Sequence, residues 1–202
     1  MSVSHHVARG AWVAVLLSLA VASPAAARTR LFAPSSPWNH AVPASAPLDA
    51  ASATLVSRLA AEARHEAATG VGPWIATGVA STPIYRVGRR QRRVRVRLDD
   101  PSAPGRRSLQ RALAAVPIPA RATPAAGPDR HMTIWQPSTD RLWELWQARR
   151  ETDGWRARWG GAIRHVSRSP GYYTRASWPG AQPYWGATGS GLPVAAGVVR
   201  ER

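Results

Sequence analysis

Three residues capable of acid–base chemistry lie close together in a stretch that is rich in tryptophan: His131, Asp140 and Glu144. A carboxyl group between indole rings loses hydration, which raises its pKa as a general acid requires. Glu144 is the candidate acid, and Asp140 is the candidate second carboxylate of a glycoside hydrolase, which needs a carboxyl pair. A polysaccharide lyase would instead use a base, for which His131 is the candidate. The sequence leaves open whether the protein cleaves a polymer or only binds one.

The segment 131–161 positions these side chains on predicted strands. Its three apolar runs are separated by turn residues at 137–140 and 151–154, which predicts a three-stranded antiparallel meander. A four-residue first loop places Gln136 opposite Arg141. A four-residue second loop places Trp146 opposite Trp159, with directly opposed side chains about 5 Å apart at Cβ.

This register divides the sheet into two faces. Met132, Ile134, Trp143 and Leu145 form a predicted core face. The other face holds the candidate catalytic residues His131 and Glu144 beside aromatic rings that suit the stacking of a sugar. The candidate substrate-binding residues are Thr133, Trp135, Trp146 and Trp159 on this face, with Tyr172 and Tyr173 from the C-terminal tail. The alternative is that this face lies under a helix at 50–69 and its tryptophans belong to the core.

The charge of the chain favours anionic partners. The formal net charge is +16, all 27 basic residues are arginine, and there is no cysteine. Between 93 and 98, arginine alternates with apolar residues, so Arg93, Arg95 and Arg97 are predicted to form an exposed ridge that binds anions. The alternative is an edge strand that charge protects from pairing with another sheet. No metal, cofactor or nucleic-acid motif is recognisable, so the expected partner is a polysaccharide or an anionic cell-wall polymer.

The order of segments indicates an exported protein with one β-rich domain. Residues 1–27 have the basic start, short apolar stretch and small-residue cleavage site of a signal peptide, and no membrane span is expected after its removal. Residues 28–48 form an extended N-terminal lead that Phe32 and Trp38 anchor. Residues 49–202 form the domain, with helices at 49–70, capped by Asp49, and at 108–116. The fold class is mainly β: an antiparallel sandwich or jelly roll with one or two peripheral helices.

Several segments resemble a family of secreted actinobacterial proteins of unassigned function. They are PWN (37–39), HMTIWQPSTDRLWELW (131–146), WGGAI (159–163), SPGYY (169–173) and WGATGSGLPV (185–194). The resemblance implies export and a β-rich domain, and it assigns no activity or catalytic residue. Members of the family continue beyond the equivalent of Val199, so the resemblance also implies a C-terminally truncated domain.

Two functional hypotheses follow from the sequence. The first is a secreted, extracellular or cell-wall-associated protein that binds polysaccharide, with or without cleaving it at Glu144. The second is a non-catalytic envelope protein whose arginine ridge holds an anionic polymer or a protein partner. An open face around Glu144 and His131 would favour the first hypothesis.

Overall fold

The computed structural model describes residues 30–73, 78–79, 81–99, 105–182 and 185–197, and the predicted signal peptide lies outside these ranges. The described chain is mainly β with few helices. The strands are β1 (Ile84–Arg86), β2 (Val96–Leu98), β3 (Met132–Gln136), β4 (Arg141–Trp146), β5 (Arg149–Glu151), β6 (Gly154–Ala157) and β7 (Trp159–Arg164). The helices are α1 (Ser52–Thr69), α2 (Arg106–Ala112) and α3 (Val194–Gly197). None of the helices in the described ranges is long and apolar enough to cross a membrane.

The strands form two mixed sheets, ordered β1-β3-β4-β7 and β2-β6-β5. Strand β1 runs parallel to β3, and β2 runs parallel to β6. The expectation of purely antiparallel sheets is therefore wrong, because the strands that precede the segment 131–161 join each sheet at an edge with the parallel orientation. A sandwich or jelly-roll arrangement of the two sheets stays a prediction.

The register predicted for the segment 131–161 is confirmed. Gln136 pairs with Arg141, and Trp146 pairs with Trp159. The predicted three-stranded meander is wrong in one respect, because the second hairpin bends between the two sheets. Its outer part forms β5 and β6 in the smaller sheet, with Arg149 opposite Arg156.

The bend in this hairpin lies at Gln147, whose φ of 49° is in the left-handed region. The backbone N–H of Gln147 donates to the carbonyl oxygen of Asp129 at 2.7 Å, and that of Ala148 donates to Arg130 at 3.2 Å. A contact with the loop before β3 thus replaces the strand pairing at this point. The bend lets one hairpin belong to both sheets.

The predicted core face is confirmed as buried. Met132, Ile134, Trp143 and Leu145 are each at most 2% exposed. Helix α2 packs over this face, and the indole N–H of Trp143 donates to the carbonyl oxygen of Ala112 at 3.1 Å. The side chain of Gln110 in α2 bonds the backbone of β2 through Leu98 N (2.9 Å) and Val96 O (2.8 Å), which ties the smaller sheet to the same layer.

The opposite face of the larger sheet is covered by the C-terminal segment, which comprises residues 169–182 and 185–197 of the described chain. Tyr173 and Ala195 of this segment are buried against it. The N-terminal lead docks beside them, since Phe32 is buried and the indole N–H of Trp38 donates to the carbonyl oxygen of Gly171 at 2.8 Å. The contact expected for Phe32 and Trp38 is therefore present.

Helix α1 does not cover this face, contrary to the alternative considered for it. Its N-cap is Ala51, two residues after the predicted cap Asp49, and Gly70 caps its C-terminus in a left-handed conformation. No residue of α1 is buried, and its apolar face is exposed at Leu55, Val56 and Leu59. The tail, with its aromatic rings, provides the cover that the sequence led us to expect from a helix.

Two glycines of β7 allow the sheet and its cover to approach closely. A Cβ on Gly160 would collide with the carbonyl oxygen of Glu144, and a Cβ on Gly161 would collide with the ring of Tyr173. Gly88 lies in a turn where a Cβ would meet no atom within 4 Å.

We expect Gly160→Ala to lower the free energy of unfolding by about 1–3 kcal/mol, because its Cβ would press on backbone that cannot move aside. Chemical denaturation of the purified protein measures this difference. Gly88→Ala is the matched control and should leave the stability unchanged within about 0.5 kcal/mol. Equal stability of the two variants would show that β4 and β7 are not packed this closely.

Candidate functional site

Glu144 is fully buried at the centre of the face that the sequence identified as the candidate site. Its Oε1 accepts from the backbone N–H of Ala195 at 2.8 Å and from Thr133 Oγ1 at 3.4 Å. Its Oε2 accepts from the backbone N–H of Val194 and from the hydroxyl of Tyr173, both at 3.0 Å. These four donors surround both oxygens, so the carboxylate fastens the C-terminal segment to β4.

The environment of Glu144 perturbs the pKa of two groups. Burial raises the pKa of Glu144 above its ordinary value, while the hydrogen bonds from Ala195, Val194, Tyr173 and Thr133 oppose this shift. Burial and the neighbouring Glu144 carboxylate raise the pKa of Tyr173 well above its ordinary value, so its hydroxyl stays a donor. The raised pKa expected of Glu144 is therefore present, but without access for a substrate.

The other two candidate catalytic residues are held by structural contacts. His131 Nε2 lies 3.0 Å from the carbonyl oxygen of Ala187 in the C-terminal segment. The carboxylate of Asp140 accepts from the backbone N–H and the hydroxyl of Ser167, each at 2.8 Å, and so caps the turn at Val166–Arg168.

Asp140 and Glu144 do not form a catalytic pair. Asp140 lies in a left-handed turn before β4, and three steps of the strand, about 10 Å at ~3.3 Å per residue, separate its first residue Arg141 from Glu144. The carboxyl groups of glycosidases lie about 5–9.5 Å apart. Within the described ranges, moreover, no three His, Cys, Asp or Glu side chains come together as metal ligands.

The predicted substrate-binding residues on this face are mostly covered. Thr133, Trp135 and Tyr173 are buried, and Trp146 and Trp159 are half-buried. A guanidinium group lies over the ring of each tryptophan: Arg86 over Trp135 (5.4 Å from Cζ to the ring centroid), Arg158 over Trp146 (5.8 Å) and Arg106 over Trp159 (5.1 Å). In each case the guanidinium group covers a ring face on which a sugar could otherwise stack.

Tyr172 is the exception among the predicted aromatic residues, because its side chain is 47% exposed. It lines an apolar cavity of about 460 Å³ together with Leu192, which is 40% exposed. Arg175 and Ser190 add polar groups at the same cavity. Tyr173, whose hydroxyl donates to Glu144, also lines this cavity, so the exposed ring of Tyr172 lies next to the covered face.

The predicted arginine ridge on and beside β2 is exposed, as expected. Val96 and Leu98 point inward and are buried, whereas Arg93, Arg95 and Arg97 are exposed. Strand β2 lies at an edge of its sheet, so the interpretation as a charged edge strand also fits. Arg93 donates to Gln136 Oε1 at 3.1 Å, and Arg97 pairs with Asp153.

A network of ion pairs neutralises part of the smaller sheet. Asp99, Arg149, Glu151, Arg156, Asp153 and Arg97 follow one another as neighbours in it. Three arginines face three carboxylates, so this network carries a net charge of 3 − 3 = 0. Arg97 is therefore less available to a ligand than Arg95, which has no carboxylate partner in the described part of the chain.

A cluster of arginines lies where β4 begins and β7 ends in the larger sheet. The sequence did not predict this cluster. Arg141 of β4 pairs directly with Arg164 of β7, and both line a cavity of about 260 Å³ with Arg111 of α2. We call this the arginine cavity. Burial lowers the pKa of Arg141, and the positive charges of Arg164 and Arg93 lower it further. The predicted register already placed position 141 opposite 164, and only the position of α2 was beyond the sequence.

We expect the stability of the protein to depend on pH through Glu144. Because its pKa is raised in the folded state, the stability it contributes is fully present below the ordinary carboxyl value of 4.5 and is lost as pH rises through the raised pKa. Glu144→Gln removes this dependence, and its amide leaves a buried donor unpaired, which costs about 1–3 kcal/mol. Denaturant titrations at a series of pH values measure both effects.

The control for this experiment is Thr133→Val, which removes only the 3.4 Å contact and keeps the carboxylate with its three other donors. Its stability should follow the pH dependence of the unaltered protein. If the difference between the unaltered protein and Glu144→Gln does not change with pH, Glu144 does not have a raised pKa.

Comparisons of the chain with protein-family models, curated proteins and solved structures find no match. The resemblance of its segments to secreted actinobacterial proteins stays a prediction.

Proposed function

We propose that this protein is a non-catalytic extracellular binder of an anionic polymer, such as an acidic polysaccharide or a phosphate-containing cell-wall polymer. The observation that carries the proposal is a loop at 88–95, the arginine loop, in which arginines are exposed and have no carboxylate partner among the described residues. These are Arg89, Arg90, Arg92, Arg93 and Arg95.

The contrast with the neighbouring ion-pair network supports this proposal. The carboxylates at 99, 151 and 153 compensate Arg97, Arg149 and Arg156. The arginine loop contains no acidic residue, so its charges repel one another unless an anion lies between them. A flexible polymer with regularly spaced negative groups can approach several of these guanidinium groups at once.

The absence of cleavage is the second part of the proposal, and the geometry of Glu144 supports it. This carboxylate is buried beneath the C-terminal segment, and Asp140 lies before the first residue of β4 with its carboxylate held by Ser167. We therefore expect no new reducing ends and no unsaturated uronate when the protein is incubated with polymer.

Binding can be measured by calorimetry with three polymers of similar length: a polyuronate, a poly(glycerol phosphate) and a neutral glucan. We expect binding to at least one anionic polymer with an affinity that falls as salt increases, and any binding to the glucan to be independent of salt. Replacing Arg89, Arg90, Arg92 and Arg95 together by glutamine should weaken binding more than about tenfold, equivalent to about 1.4 kcal/mol.

The matched control removes the same number of charges elsewhere, by replacing the exposed residues Arg58, Arg64, Arg121 and Arg168 with glutamine. Its affinity should stay within about twofold, or about 0.4 kcal/mol, of the unaltered protein. Equal weakening by both variants would mean that net charge, and not the arginine loop, determines binding.

A second candidate function is the binding of a neutral sugar ring in the cavity beside Tyr172. The specific observation is the exposed tyrosine ring next to Leu192 in a cavity of about 460 Å³, a size typical of small-ligand sites. Stacking of a sugar on Tyr172 would resemble the stacking predicted for the face at Glu144, but this cavity is open to solvent.

We expect Tyr172→Ala to abolish binding of neutral oligosaccharides on a glycan array, because the ring provides the stacking surface. Tyr172→Phe keeps the ring and should retain binding. If both variants bind like the unaltered protein, this cavity is not a sugar site.

A further inference from the structure

The arginine cavity brings together three positive charges. Arg141 and Arg164 are directly opposed across β4 and β7, and Arg111 reaches the same cavity from α2. None of the three forms an ion pair with a carboxylate in the described ranges. Like charges in directly opposed positions destabilise a sheet, so this arrangement costs stability in the free protein.

The carboxylate nearest to Arg141 in the sequence is held by hydrogen bonds. Asp140 precedes Arg141, and both of its oxygens accept from Ser167 at 2.8 Å. Held in this cap, Asp140 forms no ion pair with Arg141 or Arg164. The charges of the cavity are thus available to a ligand.

The polar groups in the cavity wall are satisfied internally. Trp143 Nε1 donates to Ala112 O, and Ser108 Oγ lies 2.9 Å from the carbonyl oxygens of Gly105 and Gly180. Alanine, isoleucine, tryptophan and proline side chains form much of the remaining wall. Guanidinium groups are therefore the donors that a ligand would meet.

The size and charge of the cavity select the ligand. A volume of about 260 Å³ corresponds to about nine water molecules at ~30 Å³ each, which suits one small group and not a chain of sugars. Guanidinium groups bind phosphate and related oxyanions through paired N–H donors. Three of them match a doubly charged tetrahedral anion better than a singly charged carboxylate.

We propose that the arginine cavity formed by Arg111, Arg141 and Arg164 binds one tetrahedral oxyanion, either free or as a phosphate or sulfate group attached to a polymer. The attached form rests on the proposed function, and the binding of the free anion does not. Arg93 donates to Gln136 Oε1 at 3.1 Å, and Gln136 pairs with Arg141 across β3 and β4, so the cavity adjoins the arginine loop.

The probes for this site are inorganic phosphate and sulfate, added at constant ionic strength, with chloride and acetate as reference anions. We expect phosphate and sulfate to raise the melting temperature of the protein and acetate to leave it unchanged. Arg164→Gln and Arg111→Gln should each weaken phosphate binding at least tenfold in calorimetry. Arg168→Gln, a nearby exposed arginine outside the cavity, should retain full affinity.

Arg164→Gln also provides a second readout that distinguishes a binding site from a structural cluster. Without added anion, this variant should melt at the same or a higher temperature than the unaltered protein, because the repulsion with Arg141 is removed. A lower melting temperature without anion, or unchanged phosphate binding in this variant, would overturn the proposal.

The two proposals can fail separately. Retained polymer binding together with no phosphate or sulfate binding overturns the oxyanion site and leaves the arginine loop in place. Phosphate binding together with no polymer binding overturns the proposed function alone. If a phosphate-containing polymer binds the unaltered protein and loses affinity in Arg164→Gln, the cavity binds a phosphate group attached to the polymer.

Discussion

The buried carboxylate of Glu144 is the interaction on which the rest of this structure depends. It accepts hydrogen bonds from Thr133 on the neighbouring strand and from Tyr173, Val194 and Ala195 in the C-terminal segment. An isolated carboxylate would be costly in an apolar interior, and these donors offset that cost. One side chain thus links strands that are close in sequence to a segment fifty positions away, and in doing so it closes the face that it shares with His131.

Some arginines of the described chain are held by contacts with aromatic rings or carboxylates, and others have neither kind of partner. Arg86, Arg106 and Arg158 lie over tryptophan rings, where their stems and planes cover apolar surface. The arginines of the ion-pair network, Arg97, Arg149 and Arg156, have carboxylate partners. The arginine loop and the arginine cavity have neither kind of partner in the described chain, and they adjoin one another through Arg93 and Arg141. Eight arginines without a carboxylate partner in the described chain therefore lie in the region formed by the arginine loop and the arginine cavity.

Local rules predicted the register of the larger sheet because turn lengths fix which residues are opposed. The pairs formed by Gln136 with Arg141 and by Trp146 with Trp159 follow from two four-residue loops. The same rule places Arg149 opposite Arg156, but it does not reveal that the hairpin bends at Gln147. That bend depends on a hydrogen bond to the carbonyl of Asp129, a contact with a loop that has no periodic pattern.

The candidate site was harder to predict because its cover has no regular pattern. Helix α1 has the apolar spacing of a packed helix, yet its face is exposed, while an irregular tail rich in glycine and tyrosine provides the cover. Glu144 was correctly identified as a desolvated carboxylate among aromatic rings. Its partners at 194 and 195 are backbone N–H groups, which have no signature in the sequence. The sequence therefore could not distinguish a carboxylate that fastens the C-terminal segment from a catalytic acid.

The central claim is that Glu144 fastens the C-terminal segment over the larger sheet. Amide hydrogen exchange measured at Val194 and Ala195 tests it most directly, with Leu145 in the buried strand as the reference. We predict that both tail amides are protected nearly as well as Leu145 and that Glu144→Gln releases them while the strand stays protected. Rapid exchange at Val194 and Ala195 in the unaltered protein would contradict the claim, because the face around Glu144 would then open to solvent.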